Sequence, residues 1–391
     1  MTSTTLEDAS QRGRKVNSAF LSRPSDIIVV GAGVIGSAVA YELTRRGASV
    51  QLIDDRSPGM GATQASAGML APFTEAKDRD EAFLDLAVRS LDLYDAFVAR
   101  VTETSKMPVG YRRAGTMDVA STAERMASLR DIARRLKARG VALSLLDADA
   151  AREEEPQLGD AVAGALLIPA HGYVNAGELT RALVAAARTH DAHLIEARVR
   201  SIGQRAGVIT VETGRGVLSA DVVVVAAGSW SGRIDIAGAE PLPVRPVRGQ
   251  LLHLAWQGTP LHRVTWGDRC YLVPWEDGTL LVGATMEEVG FDERTTVDGV
   301  NRLLTAACEL VPTASVAAVL SARAGLRPGT PDALPLIGWS NAMPNLMYAT
   351  GHFRNGVLLC PLTAQLVADA VLDGAVDSAL KATNPQRFGD V

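Results

Sequence analysis

The chain has 391 residues, and its 44 acidic and 39 basic side chains give a formal net charge of −5. This length predicts two or three domains of roughly 150 residues each. The slight acidic excess and the lack of a basic tract argue against a nucleic-acid partner. A hydrophobic content of 47% suffices for a large core, yet no apolar run is long enough for a membrane-spanning helix.

Residues 1–24 lack the apolar centre of a signal peptide, so we interpret them as a mobile N-terminal extension, with organelle targeting as the alternative. A cytoplasmic protein is therefore expected. Three cysteines, Cys270, Cys308 and Cys360, share no CxxC spacing and are predicted to be buried thiols. His190 and His193 are not expected to share a metal, because a helix ends between them, and no other metal site is predicted.

The segment DIIVVGAGVIGSAVAYELTRRGASVQLIDD predicts a buried strand, a turn, a helix and a second strand. Its glycines, Gly31, Gly33 and Gly36, form the pattern G-x-G-x-x-G. Gly31 permits a tight turn, Gly33 lets a pyrophosphate approach the backbone, and Gly36 lets helix and strand pack closely. The positive end of the helix would face the phosphates, so the segment predicts a dinucleotide site.

The second strand should end at the acid that accepts hydrogen bonds from the ribose. Asp54 is preferred, and Asp55 is the alternative if the strand is one residue longer. This fingerprint does not distinguish NAD from FAD. The next segment, MGATQASAGMLAP, is rich in small residues and contains Thr63. Small side chains let a long flat ligand lie against the backbone, which favours FAD.

Further along the chain, residues 78–103 predict an amphipathic helix with an apolar stripe of Leu84, Val88, Leu91 and Val98. A second helix is predicted over 123–139. The sequence EEEP at 153–156 is interpreted as a solvated helix end that Pro156 terminates.

The next helix is predicted over 176–189, and an apolar strand follows from residue 220. Shorter strands over 241–324 predict an antiparallel sheet. The last strand is expected at 346–350. A final helix should begin between 357 and 360, with Pro361 in its first turn, and end at Gly374.

Eight motifs spread over residues 26–375 carry a resemblance: VVGAGVIGSAVAYEL, SAGML, VVVVAAGSWSG, VRGQ, CYLVP, LVGATM, AGLRPGTPD and GHFRNG. They resemble the FAD-dependent flavoproteins of the D-amino acid oxidase and sarcosine oxidase superfamily, in particular the glycine oxidases of the thiamine pathway. The resemblance implies an α/β fold with a discontinuous Rossmann-type FAD-binding domain and a substrate domain built on a mainly antiparallel sheet.

The expected domain bounds follow from the same resemblance. The FAD-binding domain would comprise residues 25–103, 168–240 and 325–378, and the substrate domain residues 104–167 and 241–324, before a C-terminal tail at 379–391. A homotetramer, or at least a dimer, is also implied.

The resemblance further implies oxidative deamination of glycine, sarcosine, D-alanine and similar small amines by hydride transfer to flavin N5. The products would be an imine or 2-oxo acid, ammonia and, with molecular oxygen as acceptor, hydrogen peroxide. No catalytic acid or base is expected, because the pocket would act by positioning the substrate. One alternative is a D-amino acid dehydrogenase that uses a quinone. An alternative of another class is a non-catalytic FAD-binding component of an assembly or of tRNA modification.

Arg327 is the strongest candidate for binding the substrate carboxylate, since a guanidinium forms two parallel hydrogen bonds with it. Its alternative is a salt bridge with Asp332. Tyr271 would donate a third hydrogen bond or merely pack in its strand. Met286 would line the pocket or fill the core. Arg269 departs from the family pattern, where some members carry histidine, and leaves the exact substrate open.

The resemblance implies that the loop GHFRNG lies against the flavin, where backbone N–H groups and a helix N-terminus favour negative charge. Arg354 would define the pocket or pair with an acid, and His352 would pack near the flavin or act as a base. Sarcosine oxidases hold their flavin through a cysteine close to TPD. The stretch GLRPGTPD contains no cysteine, so the resemblance implies that the FAD is noncovalent. The predicted cofactor-binding residues are Gly31, Gly33, Val34, Ile35, Gly36, Asp54, Asp55, Thr63, Ala67, Gly68, Met69, Val199, Ala227, Gly228, Gly351, His352, Phe353, Arg354, Asn355, Gly356 and Val357.

Overall fold

The computed structural model describes residues 25–75, 81–205, 207–256 and 259–391. The predicted N-terminal extension, residues 1–24, lies outside the described residues. The helices are α1 (Val34–Arg45), α2 (Pro72–Glu75), α3 (Glu81–Ser105), α4 (Ala123–Ala138), α5 (Ala148–Glu154), α6 (Ala176–Thr189), α7 (Val297–Leu310), α8 (Gly356–Leu372) and α9 (Ala379–Thr383).

The strands of the described residues form three sheets. They are β1 (Ser25–Val30), β2 (Val50–Asp54), β3 (Met69–Leu70), β4 (Tyr111–Arg112), β5 (Thr116–Ala120), β6 (Ser144–Asp147), β7 (Gly164–Ile168), β8 (Gly172–Val174), β9 (His193–Glu196), β10 (Val199–Arg205), β11 (Val208–Thr213), β12 (Gly216–Val225), β13 (Asp235–Ile236), β14 (Arg245–Ala255), β15 (Val264–Trp266), β16 (Tyr271–Pro274), β17 (Thr279–Gly283), β18 (Ala318–Gly329), β19 (Leu336–Trp339) and β20 (Leu346–Thr350).

The first sheet has a parallel centre in the order β9-β2-β1-β12-β20. In chain order this is 3-2-1-4-5, the arrangement of dinucleotide-binding sheets, in which the ligand lies beyond the carboxyl ends of the strands. The apolar runs of β1 and β12 are buried on both faces, as such runs are in parallel sheets. An antiparallel β10–β11 hairpin extends from β12, and β19 pairs with β20.

The second sheet has the order β18-β14-β17-β16-β15-β5-β7-β6 and is antiparallel except between β15 and β5. The predicted α/β fold with a mainly antiparallel second sheet is confirmed. A third, small sheet has the order β3-β8-β4 and is antiparallel. The end of β18 and the loop after β20 are joined by a hydrogen bond from the N–H of Phe353 to the carbonyl of Pro328.

Four helices, α1, α3, α6 and α8, share one hydrophobic core on a face of the first sheet. The predicted helix at 176–189 and the strand at 346–350 match α6 and β20, and α4 ends one residue before the predicted 139. None of the described helices combines the length and apolar character needed to cross a membrane. Cys270 and Cys360 are buried as predicted, whereas Cys308 is half-buried.

The predicted stripe of α3 was partly wrong. Leu91 and Val98 are buried, but Leu84 and Val88 are only half-buried. Because α3 contacts both α6 and α8, its buried face is wider than one stripe and includes Ser90 and Tyr94, both fully buried.

Two other predictions need correction. Helix α8 begins at Gly356, so Pro361 lies beyond the first turn. Tertiary packing supplies the hydrogen bond that makes this position tolerable, because the hydroxyl of Tyr94 donates to the carbonyl of Val357. The EEEP segment is not uniformly solvated, since Glu155 is fully buried and accepts a hydrogen bond from the backbone N–H of His262 at 2.8 Å.

Candidate active site

A cavity of about 970 Å³ opens at the carboxyl ends of the parallel strands and continues to the second sheet. A volume of this size accommodates a large cofactor together with a small substrate. Its walls include all the predicted site residues except two glycines, Gly36 and Gly351, which lie behind it. The structure therefore brings segments from both halves of the chain into one site.

The glycine turn after β1 has the geometry that a pyrophosphate needs. Gly31 has a φ of +105°, and a side chain on it would overlap the carbonyl of Ala226. A side chain on Gly36 would overlap the carbonyl of Gly31. By contrast, a Cβ on Gly33, which lines the cavity, would meet only the hydroxyl of Thr63 among the described residues, at an ordinary contact distance of 3.7 Å. Gly33 therefore keeps the cavity clear at the N-terminus of α1, where backbone amides favour anions.

The two candidate acids after β2 have different surroundings. Asp54 accepts hydrogen bonds from the backbone N–H groups of Ala32, at 2.7 Å, and Arg56, at 2.8 Å. Burial raises its pKa. Asp55 is exposed and pairs with Arg198, with an Oδ2–Nε distance of 2.6 Å. Each oxygen of Asp54 keeps a lone pair for a further donor, so its position continues to favour it as the ribose-binding acid.

The loop before α8 is held tightly against the cavity. Phe353 has a φ of +50°, and its N–H donates to the carbonyl of Pro328 at 2.9 Å. Asn355 is 1% exposed, and its side-chain amide nitrogen has no hydrogen-bond partner among the described residues. A buried donor without a partner is costly, and this one lies beside a helix N-terminus that faces the cavity. Both features fit an acceptor-rich ring such as the pyrimidine end of a flavin.

His352 is buried behind this loop, and its Nε2 lies 3.0 Å from the hydroxyl of Thr363. Burial lowers its pKa to about 3. The imidazole is thus neutral and enclosed, which supports a packing role and not that of a general base. Gly351, unlike His352, does not line the cavity. Its φ is +72°, and an added Cβ would lie 2.7 Å from Cγ2 of Thr330. A glycine is needed at this position for close packing behind the loop.

The substrate end of the cavity is formed by Arg327 on β18 and Tyr271 on β16. The guanidinium of Arg327 donates to the carbonyl of Thr285 at 2.9 Å. A side chain on Gly249 would overlap this guanidinium, and one on Gly283 would overlap the phenol ring of Tyr271. The two glycines therefore let both polar side chains lie flat on the sheet.

The alternative partner of Arg327, Asp332, is bound by Arg387 at 2.6 Å. Sequence reasoning noted the motifs VRGQ and LVGATM but gave Gly249 and Gly283 no role. Their contact with Arg327 and Tyr271 arises between neighbouring strands. These contacts could be predicted only if the pairing of β14 with β18 and of β16 with β17 were already known.

Three predicted substrate residues lie at the cavity entrance. Met286 is 61% exposed. Arg269 pairs with Glu309, and both side chains are 58% exposed. Arg354 is exposed, with its guanidinium carbon 5.9 Å from the centre of the Phe353 ring. These side chains are placed to affect entry to the site, whereas Arg327 and Tyr271 lie deeper.

Two tryptophans that the sequence did not single out also line the cavity. Trp266 packs against Tyr271, with ring centroids 5.2 Å apart. Trp230 lies under the guanidinium of Arg56, whose central carbon is 4.4 Å from the ring centre. Trp266 narrows the substrate end, and Trp230 lies nearer the dinucleotide turn.

Comparisons with known proteins agree with this geometry. Residues 26–370 match the family model described as FAD dependent oxidoreductase. A bifunctional protein ThiO/ThiG of Synechocystis sp. is 36% identical over an alignment that covers 93% of this chain and 54% of that protein. The chain thus spans about half the length of the first curated relatives it matches. A glycine oxidase of Geobacillus kaustophilus is 35% identical, with 88% of this chain and 92% of that protein covered.

Solved structures show the same relationship. The crystal structure of glycine oxidase from Geobacillus kaustophilus has a TM-score of 0.90 and 33% identity, covering 94% of this chain and 99% of that one. The iminodiacetate oxidase of Chelativorans sp. BNC1 has a TM-score of 0.84 and 28% identity, covering 92% and 98%. Because the family model matches residues 26–370, most of the chain, the chain belongs to the family of FAD-dependent oxidoreductases and uses FAD as its cofactor.

Proposed function

We propose that the protein is an oxidase of glycine and other small amines, including sarcosine and D-alanine. The observation that carries this proposal is the position of Arg327, which lines the same cavity as Tyr271 and is less exposed than the side chains at the entrance. A guanidinium in this place can hold a carboxylate by two hydrogen bonds and so orient the α-carbon. The names of the glycine oxidase relatives support the same substrate class.

In this proposal the protein acts mainly by positioning. The hydrogen bond from Arg327 to the carbonyl of Thr285 fixes the guanidinium before substrate arrives, so little entropy is lost on binding. Tyr271 donates to the same carboxylate. The N-terminus of α8 and the amide of Asn355 favour negative charge on the bound cofactor. When bound, FAD would supply the two-electron acceptor: the α-hydrogen would leave with both electrons of its C–H bond, as the lone pair of the neutral amine forms the C=N bond.

The remaining expectations are also proposals. Molecular oxygen is the final acceptor, and the products are an imine or 2-oxo acid, ammonia and hydrogen peroxide. The chain acts in the cytoplasm as a homo-oligomer, and the domain bounds are those expected from the sequence. Since relatives named ThiO/ThiG join such a chain to a second part, we propose that the imine of glycine serves thiamine biosynthesis.

The proposed function can be tested by anaerobic titration of the FAD-loaded protein with glycine, sarcosine, D-alanine and D-proline. Loss of the flavin absorbance with small amines, but not with L-amino acids, is expected. Oxygen should then restore the absorbance with one peroxide per turnover. Bleaching without peroxide would identify a dehydrogenase that uses another acceptor. No bleaching by any amine would leave only the non-catalytic, FAD-binding alternative.

A further inference from the structure

A second cavity, of about 650 Å³, lies on the other side of the short 3-10 helix Ala62–Ala65. Thr63 and Ser66 line both cavities. The second one is bounded by the N-terminus of α6, by the β16–β17 turn and by the outer part of β18. Its volume lies within the range of small-molecule sites.

The two cavities lie along the same face of β18, because successive side chains of a strand point to alternate faces. Arg323, Gly325 and Arg327 are two residues apart and therefore project from the same face of the strand. The 3-10 helix covers the middle position, since a Cβ on Gly325 would lie 2.9 Å from the Cβ of Ala65. Arg327 thus lines the cofactor and substrate cavity, and Arg323 lines the second cavity.

Arg323 is half-buried, and no carboxylate of the described ranges lies within ion-pair distance of it. Its Nη1 donates to the carbonyl of Gln64 at 3.2 Å, and its Nε has no hydrogen-bond partner among those residues. Burial lowers its pKa. A cation that is partly removed from water without a counter-charge is costly, which indicates that an anion completes the site.

The acids around this cavity already have partners. Asp277 accepts two hydrogen bonds from Thr279, Glu178 accepts one from the N–H of Gly110 at 2.8 Å, and Glu276 lies 3.6 Å from Arg112. His253 also faces the cavity, and burial with Arg323 nearby lowers its pKa.

Two further features favour an anion. The N-terminus of α6, capped by Asn175, presents the positive end of a 14-residue helix to the cavity. Arg181, on the first turns of that helix, is exposed and lines the same cavity. We propose that this cavity is a binding site for a small phosphorylated or carboxylated molecule, with Arg323 as its principal anion-binding residue.

The test uses the FAD-loaded protein, in which the dinucleotide site is occupied, and inorganic phosphate and citrate as probes at constant ionic strength. Calorimetric titration should show saturable binding to the wild type. Arg323→Met should weaken this binding about 10- to 100-fold, the range for a hydrogen bond to a charged group. Arg323→Lys should retain part of it.

Two controls locate the binding. Arg245→Met, on the neighbouring strand β14 and far from the cavity, should bind both probes as the wild type does. Arg327→Ala, on the same face of β18, should also retain binding. The proposal is overturned if neither probe binds saturably, if Arg327→Ala loses binding while Arg323→Met keeps it, or if Arg323→Met changes only the oligomeric state, which would assign the arginine to a subunit interface.

Discussion

The hydroxyl of Tyr94 donates a hydrogen bond to the backbone carbonyl of Val357, which Pro361 cannot do because it has no N–H. One turn earlier on α3, the hydroxyl of Ser90 donates to the carbonyl of Leu358 at 2.7 Å and accepts from the N–H of Leu362 at 3.3 Å. Helix α3 therefore completes the hydrogen bonding of α8 next to the end that faces the cofactor.

Tyr94→Phe should destabilise the protein by about 1–3 kcal/mol, because it leaves a buried carbonyl without a donor. It should also weaken FAD binding, since Val357 lines the cofactor cavity. The measurements are denaturant unfolding of the apoprotein and FAD titration. Tyr111→Phe is the matched control, because the Tyr111 hydroxyl donates to the carboxylate of the exposed Asp95 and not to a buried helix carbonyl. Equal losses in both variants would contradict the role given to Tyr94.

Gly33→Val should yield a folded protein that does not retain FAD. The backbone of Gly33 is extended, with φ of −69°, and its Cβ would enter the open cavity. Circular dichroism and the flavin spectrum after purification measure the two effects separately. Gly36→Ala should instead damage folding, since its Cβ would overlap the carbonyl of Gly31. In the wild type, acid or heat should release FAD into solution, and flavin that stays with the precipitate would contradict noncovalent binding.

Arg327→Ala should lower kcat/KM for glycine while FAD remains bound. Losing one partner of a buried charge pair costs about 3–5 kcal/mol, which corresponds to a factor on the order of a hundred to several thousand. Arg327→Lys should restore only part of the activity, because an ammonium cannot hold both oxygens in one plane. An amine without a carboxylate should react equally slowly with wild type and variant. If Arg327→Ala lost FAD while the remaining FAD-loaded protein showed normal kinetics, Arg327 would have a structural role and would not bind the substrate.

Gly249→Ala should reproduce part of the Arg327→Ala defect without removing the charge. The added methyl group would displace the guanidinium, and a displacement of about 1 Å can cost about a hundredfold in rate. Steady-state kinetics and the flavin spectrum test this. Gly203→Ala in β10 is the matched control, because its Cβ would meet no atom closer than 3.8 Å. Normal kinetics in Gly249→Ala would show that Arg327 does not depend on this close packing.

The free energy of unfolding should fall as the pH falls below about 6.5, the ordinary pKa of histidine. Burial lowers the pKa of both His171 and His352 to about 3. The N–H of Phe73 donates to Nε2 of His171 at 3.3 Å, so this nitrogen carries no proton in the folded state. Between pH 6.5 and 3 only the unfolded state takes up these protons, and each histidine lowers stability by up to about 1.4 kcal/mol per pH unit.

Denaturant unfolding between pH 5 and 8 measures this dependence. His171→Gln, which keeps an acceptor for Phe73 but has no titratable ring, should show a smaller slope below pH 6.5 than the wild type. Above that pH the slope should be the same in both proteins, because the imidazole is neutral whether folded or unfolded. An unchanged slope in the variant would mean that His171 is not the source.

Local patterns were enough to predict the dinucleotide half of the site. The turn Gly31–Gly36, the helix after it and the acid at the end of β2 are adjacent in sequence, so short-range sterics and periodicity specify them. The same holds for α6 and β20. The motif AGLRPGTPD, through its resemblance to the family, also led to the prediction that Arg327 binds the substrate carboxylate, and that role stays a prediction.

Only the tertiary structure decided what these elements contact. The hydrogen bond from Tyr94 to Val357 joins residues 263 positions apart, and the fit of Gly249 under Arg327 depends on the pairing of β14 with β18. The burial of Glu155 and the separation of Arg323 from Arg327 by the 3-10 helix have the same origin. Such contacts depend on how distant segments pack, which hydrophobic periodicity along the chain does not encode.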